Sequence, residues 1–240
     1  MIPKIIHYCW FGRNPLPDSA LKCIASWRKY LPDYEIKEWN EDNFDVSIIP
    51  YTQQAYEAKK YAFVSDYARF WILYHYGGLY FDTDVEVIRP MDEIVKSGPF
   101  MGLEKLQKEA KEPAVAPGLG LGAPAGHRLY AELLNIYARL QFTKTDGTLN
   151  LKTIVEYTTE LLQTKGLQRA DGVQQVDSVF IYPEDYFCPM DSTTGITTIT
   201  PSTVSIHHYD CSWLDHNSMR FRLHLVKNGM NRILHKLGLK

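Results

Sequence analysis

The amino-acid sequence predicts an α/β protein, and three observations carry that prediction. An apolar, β-prone run at residues 5–11 is followed by a helical periodicity and then by a second β-prone run, a βαβ opening that favours a sheet covered by helices. A long aromatic and aliphatic helical pattern stops at Gly77-Gly78 and passes into a short apolar strand. Helical and extended patterns keep alternating as far as residue 208, without an internal repeat.

The elements follow in order. Ile5 to Phe11 reads as a buried first strand that stops at Gly12. Asp18 is a candidate N-cap for a helix in which Leu21, Ile24 and Leu31 recur at helical spacing until Pro32-Asp33, and Tyr34 to Trp39 reads as the second strand. Residues 53–76 form one helical region, with Phe63, Tyr67, Phe70 and Tyr74 on one face. A glycine just past a helix takes the left-handed conformation that other residues avoid, so Gly77-Gly78 can turn the chain into strand Leu79 to Phe81. Beyond Pro90 the pattern gives a short helix near 92–96, a strand at 100–103, a loop from 105 to 118, helices at 127–141 and 151–165, and strands near 179–182 and 204–208.

With 240 residues, 45% of them hydrophobic and 22% charged, the chain has the composition of a single globular domain. The net charge of −2 hides an asymmetry: all 28 acids lie at or before Asp215, and six of the 26 basic residues lie beyond it. So acidic a body is a poor partner for nucleic acid, whose binding requires phosphate neutralisation. Cys9, Cys23, Cys188 and Cys211 are far apart, without a CxxC pair or a secretory signal, which reads as reduced thiols in a cytoplasmic protein. No stretch approaches the roughly 18 consecutive apolar residues of a membrane span. Residues 215–240 read as a basic amphipathic helical tail appended to a domain at 1–214. Such a tail can rest on an anionic membrane or pack on the domain with its cations in solvent.

The chemistry concentrates in GGLYFDTDVE, residues 77–86. In an extended chain Asp82 and Asp84 project to the same side and Thr83 to the other, so two carboxylates face one point, an arrangement that suits Mg²⁺ or Mn²⁺. A polar strand end gives the same pattern without a metal. An apolar strand ending in DxD also fits a haloacid-dehalogenase-like phosphatase with Asp82 as nucleophile, and a non-catalytic binding protein would hold metal and ligand without turnover. Upstream, Asp66 and Arg69 stand at i and i+3 on one face of an otherwise aromatic and aliphatic helix, as a surface ion pair or as part of a site.

Three blocks together resemble the family 32 glycosyltransferases: IPKIIHYCWFG at the start, SDYARFWILYHYGGLYFDTD in the centre and SIHHYDCSW at 205–213. The family includes yeast-type initiating mannosyltransferases and bacterial capsular polysaccharide enzymes, and it is similar to the catalytic domain of large glucosylating toxins. The resemblance implies a GT-A fold, a Rossmann-like mixed sheet flanked by helices. It also implies a retaining transfer from a UDP-sugar, or else a GDP-sugar, to a saccharide or lipid-linked saccharide, with a bound Mn²⁺ or Mg²⁺. By position Trp10 would stack on the nucleotide base, Asp66 and Arg69 would contact the ribose and donor sugar, and Asp82 would bind ribose and a metal-bound water. Asp84 and His208 would ligate the metal, and Trp213 would hydrogen-bond the diphosphate.

The residues themselves bear on these roles. An indole at the end of the first strand can cover a flat base or belong to the core. His207 and His208 face opposite ways in a strand, so at most one reaches the metal, and the spacing to Trp213 selects His208. The glycine-rich segment GLGLGAPAG at 118–126 lacks an asparagine common in relatives, which leaves the acceptor open. Double displacement would need a further carboxylate, for which Asp185 and Asp191 qualify by type alone, and the resemblance implies front-face attack by the acceptor instead.

Overall fold

The computed structural model describes residues 1–105, 112–192 and 194–210. The tail at 215–240 and Trp213 lie outside them. At the centre is strand β1 (Ile5–Cys9), parallel both to β2 (Glu35–Trp39) and to β3 (Gly78–Tyr80). Beyond β3 the main sheet continues through β6 (Leu121–Ala123), β5 (Phe100–Gly102), β8 (Val179–Tyr182) and β7 (Gln174–Val176), with only β5 and β8 parallel. The order β2-β1-β3-β6-β5-β8-β7 makes it a mixed seven-stranded sheet. A second, two-stranded antiparallel sheet joins β4 (Val85–Val87) to β9 (Ser205–His207).

Helices cover both faces. On one side α2 (Pro50–Glu57), α3 (Tyr61–Tyr76), α5 (Arg128–Tyr137) and α6 (Ile154–Thr164) enclose Trp39, Phe70, Leu73, Leu133 and Tyr137. On the other, α1 (Asp18–Tyr30), α4 (Asp92–Ser97) and α7 (Glu184–Phe187) close over Trp27, Phe81, Ile94, Phe100 and Phe187. Each fully buried aromatic or aliphatic side chain contributes about 1.5–3 kcal/mol, which makes these two layers the main stabilising terms. Among the described residues no helix is long and apolar enough to cross a membrane. Cys9, Cys23 and Cys188 are buried free thiols.

Several expectations are corrected. The helical region at 53–76 is two helices, because Lys59 takes a left-handed φ of 57° and the chain turns there. Asp18 does not cap α1: Pro17 is the N-cap, without a side-chain bond, and Asp18 sits in the first turn, where a carboxylate favours the helix dipole. Residues 118–126 supply β6, a central strand that the glycine content hid. Gly122 is required there by close packing, since a Cβ would lie 2.5 Å from Phe100 and 2.7 Å from Leu79. The helix at 154–164 starts on a full capping box, Thr153 with Glu156.

His7, fully buried on β1, joins the sheet to α3. Its Nε2 donates to the Gly77 carbonyl at 2.9 Å and its Nδ1 accepts from Trp39 Nε1 at 3.1 Å. Both nitrogens are satisfied only in the neutral ring, and burial lowers the pKa to about 4. The C-terminal ends of the parallel strands β1, β2 and β3 share one edge of the sheet. Ligand sites of open α/β sheets lie at such an edge, and Trp10 and Asp82 are carried there.

Candidate functional site

Helix α3 is buried on most of its circumference through Val64, Ala68, Phe70, Ile72 and Leu73, and yet it buries two charged residues, Asp66 and Arg69. Arg69 is 3% exposed. Its Nη2 donates to Asp66 Oδ1 at 3.0 Å, its Nη1 to Asp82 Oδ2 at 3.2 Å and its Nε to the Ser65 carbonyl at 3.2 Å. The guanidinium lies 4.8 Å from the centre of the Tyr80 ring, close enough for a cation–π contact. Burial alone would lower the Arg69 pKa, but the charges of Asp82 and Asp66 outweigh it and hold the cation. Burial pushes the Asp66 carboxyl up to about 7 against the pull of Arg69. The surface ion pair that the i, i+3 spacing allowed is instead an interior network.

The acidic triplet is a turn and not the end of a strand. The Val85 N–H donates to the Asp82 carbonyl at 3.1 Å, so 82–84 reverses the chain between β3 and β4. The two carboxylates converge because of that turn, which corrects the argument from strand alternation. Tyr80, two residues before Asp82, donates its hydroxyl to Asp82 Oδ1 at 3.1 Å. The Asp82 N–H donates to the Gly118 carbonyl at 3.2 Å, and a Cβ on Gly118 would stand 2.1 Å from Asp82 Oδ2. Tyr80 and Gly118 are site residues that sequence reasoning missed. Tyr80 had a signal, its same-face spacing to Asp82, whereas nothing local marks Gly118.

The partner of Asp84 comes from the far end of the chain. Strand β9 pairs with β4 so that His207 stands opposite Val85. His207 Nε2 is 3.2 Å from Asp84 Oδ1, while the His208 ring turns away to Glu86 Oε2 at 2.9 Å. The structure therefore brings His207, and not His208, to the acidic pair. The two histidines do face opposite ways, as the alternation requires. Which one faces in is set by the β4 register, and the spacing to Trp213 does not encode it. Burial alone would raise the Asp84 pKa, yet the His207 charge, its hydrogen bond and the Asp210 N–H hold it below the usual carboxylate range. For His207 burial pulls downward and the Asp84 charge wins, raising its pKa.

Asp82, Asp84 and His207 each offer a ligand atom, and these atoms lie within 4.8 Å of one another. Two carboxylate oxygens and one imidazole nitrogen suit a small divalent cation of the Mg²⁺ or Mn²⁺ type. His207 Nδ1 is moreover buried without a hydrogen-bond partner among the described residues. Trp10 ends β1 half-buried, its Nε1 donating to the Asn14 carbonyl at 2.6 Å, which leaves the ring as a side wall of the same sheet edge. Its loop is held by Glu41, whose Oε1 accepts from the Gly12 N–H at 2.6 Å and from the Tyr56 hydroxyl at 2.9 Å.

The family described as the glycosyltransferase sugar-binding region containing a DXD motif matches residues 17–101, a span that holds Asp66, Arg69, Asp82 and Asp84. Inositol phosphoceramide mannosyltransferase 1 of Schizosaccharomyces pombe is 29% identical over 111 residues, covering 42% of this chain and 33% of that protein. Inositol phosphoceramide mannosyltransferase 3 of the same yeast is 34% identical over 98 residues, 39% of this chain and 27% of that protein. The chain thus spans about a third of the length of these curated relatives. An uncharacterised glycosyltransferase of Acanthamoeba polyphaga mimivirus is 25% identical over 213 residues, 80% of this chain and 79% of that one. Among solved structures, the PaToxG glycosyltransferase superposes with a TM-score of 0.50 at 17% identity, over 69% of this chain and 70% of that one. The fold is of the GT-A type, and the resemblance read from the three sequence blocks stands.

Proposed function

We propose that the chain is a metal-dependent, retaining glycosyltransferase that moves a sugar from a nucleotide diphosphate sugar to a saccharide or lipid-linked saccharide during polysaccharide biosynthesis. The observation that carries the reading is the meeting of the Asp66–Arg69–Asp82 network, centred on the buried Arg69, with the Asp84–His207 pair at one turn. UDP-sugars are the favoured donors and GDP-sugars the alternative.

Asp82, Asp84 and His207 would hold Mn²⁺ or Mg²⁺, which supplies positive charge where the departing diphosphate gains negative charge. Every other role belongs to the protein. Arg69 orients Asp82 through one oxygen, and Tyr80 fixes the other. Asp66 orients the Arg69 fork, and Trp10 covers the base. Trp213 keeps its expected role as a donor to the diphosphate and lies outside the described residues. Asp185 accepts from Thr200 Oγ1 at 3.1 Å and Asp191 from the Thr194 N–H at 2.8 Å, so both are engaged in loop structure. That supports front-face attack over a covalent intermediate on either. Because Arg69 and Tyr80 occupy the Asp82 oxygens, a phosphatase nucleophile at that position is disfavoured.

The direct test is Asp84→Ala: nucleotide-sugar hydrolysis and transfer should disappear while the circular dichroism spectrum stays that of the wild type. Retained turnover would refute the assignment.

A further inference from the structure

Glu104 is a carboxylate beside this site that none of the roles above uses. It follows β5 directly, where the chain leaves the sheet. The Leu103 N–H donates to the Tyr182 carbonyl at 2.9 Å, Leu103 bridges to Val115, and the Glu104 N–H donates to the Ala114 carbonyl at 2.9 Å. The next residue, Lys105, directs its N–H at the Cys188 thiol, 3.5 Å away, and that thiol lies 2.9 Å from the Tyr209 hydroxyl. The Tyr209 ring in turn packs edge-on against His207, with centroids 4.2 Å apart. This succession of contacts sets Glu104 beside the histidine that reaches Asp84.

The Glu104 backbone is fixed on both sides, but its half-buried side chain has no hydrogen bond or ion pair among the described residues. Burial raises its pKa while the His207 charge opposes the rise. A carboxylate withdrawn from water without donors is destabilising, and it is the kind of group that a ligand completes. The ligand's chemistry follows from position and charge. A diphosphate is excluded by like charge. In the sheet order β5 lies three places from β1, about 14 Å at ordinary strand spacing, and on the other side of the acidic turn from Trp10, which places the base elsewhere. What remains on this side is neutral and rich in O–H donors.

We propose that the Glu104 carboxylate accepts hydrogen bonds from sugar hydroxyls, those of the donor's sugar or of the acceptor, next to the Asp84–His207 pair. The proposal rests on the glycosyltransferase reading and deepens it by assigning a sugar subsite to the end of β5. The test uses the full chain with Mn²⁺, titrated calorimetrically with GDP-mannose, UDP-glucose and UDP-galactose, and with GDP and UDP as sugar-free controls. In E104Q the preferred sugar nucleotide should bind about 10-fold more weakly while its free nucleotide changes less than about 2-fold, which assigns the donor sugar. Unchanged donor affinity with a KM for methyl α-mannoside or methyl β-galactoside raised about 10-fold assigns the acceptor instead. E104D, which keeps the charge, should recover part of either loss.

Equal weakening of nucleotide and sugar nucleotide would overturn the proposal in favour of a role at the metal and diphosphate. So would unchanged affinities and KM, or an E104Q melting temperature well below the wild type's with no recovery in E104D. A wild-type protein that binds none of the five nucleotides would sink the glycosyltransferase reading itself, an outcome distinct from failure of the Glu104 assignment.

Discussion

Arg69 and His207 each stand beside an aspartate of the same turn, but they are supported differently. Arg69 has its donors met by Asp66, Asp82 and Ser65, and a ring beneath it. His207 has Asp84 on one nitrogen and nothing on the other among the described residues. A satisfied buried network holds one geometry whether or not a ligand is present, whereas an unsatisfied one is completed by what binds. The Arg69 half is therefore the scaffold of the site, and the Asp84–His207 half is where the proposed cation would be held.

The strongest way to break this contrast is to compare the two aspartates' neighbourhoods by mutation. Asp84→Ala should lower kcat/KM by about 10³-fold or more, with a melting temperature within a few degrees of wild type. A large loss of stability there would erase the distinction. Arg69→Ala should do the opposite kind of damage, leaving the buried Asp66 and the half-buried Asp82 without their shared counter-charge. That costs about 3–5 kcal/mol, or about 10 °C in melting temperature for a chain of this size. Arg69→Lys should not restore it, since an ammonium cannot span both carboxylates in the plane of a guanidinium.

The histidines sharpen the comparison through pH. His7 is buried neutral with a pKa near 4, below the ordinary value of 6.5, so the unfolded chain binds its proton first as pH falls. Stability should be full above about pH 6.5 and decline by about 3 kcal/mol on approaching pH 4. Urea unfolding of wild type and His7→Gln at pH 7 and 4.5 measures the difference, and parallel pH dependence of the two proteins would exclude His7 as the source. Next in size, Gly118→Ala should push Asp82 off Arg69 and cost about 2 kcal/mol of stability, with a parallel loss of activity. Smallest of all, His208→Ala should change Mn²⁺ affinity by less than about 2-fold, where His207→Ala weakens it more than about 10-fold. Reversal of that order would return the ligand role to His208.

Legibility in the sequence followed chain distance. Asp66, Arg69, Asp82 and Asp84 lie within one stretch of 19 residues, where helix and turn spacing constrain which side chains can meet, and all four were readable. The readable fact was their proximity, whereas the turn that converges the carboxylates was mistaken for a strand end, because three residues of alternating polarity fit both. The placements of Gly118 and His207 beside the acidic turn were not legible, because they come from pairing with β3, β4 and that turn across long stretches of chain. Strand β6 was likewise missed in the glycine-rich segment, where Gly120 and Gly122 leave space for Phe81, Phe100 and Leu79.

The sequence by itself determined the α/β class, the βαβ opening, the glycine stop before β3 and the identity of the acidic triplet. These rest on local periodicity and on backbone preferences that neighbouring residues impose. Only the tertiary structure decided that Arg69 is an interior cation, that His207 rather than His208 faces Asp84, and that the Glu104 side chain stands near them with no partner among the described residues. The first depends on how α3 packs on the sheet and the others on register between strands distant in the chain, where a shift of one residue would turn every side chain to the opposite face.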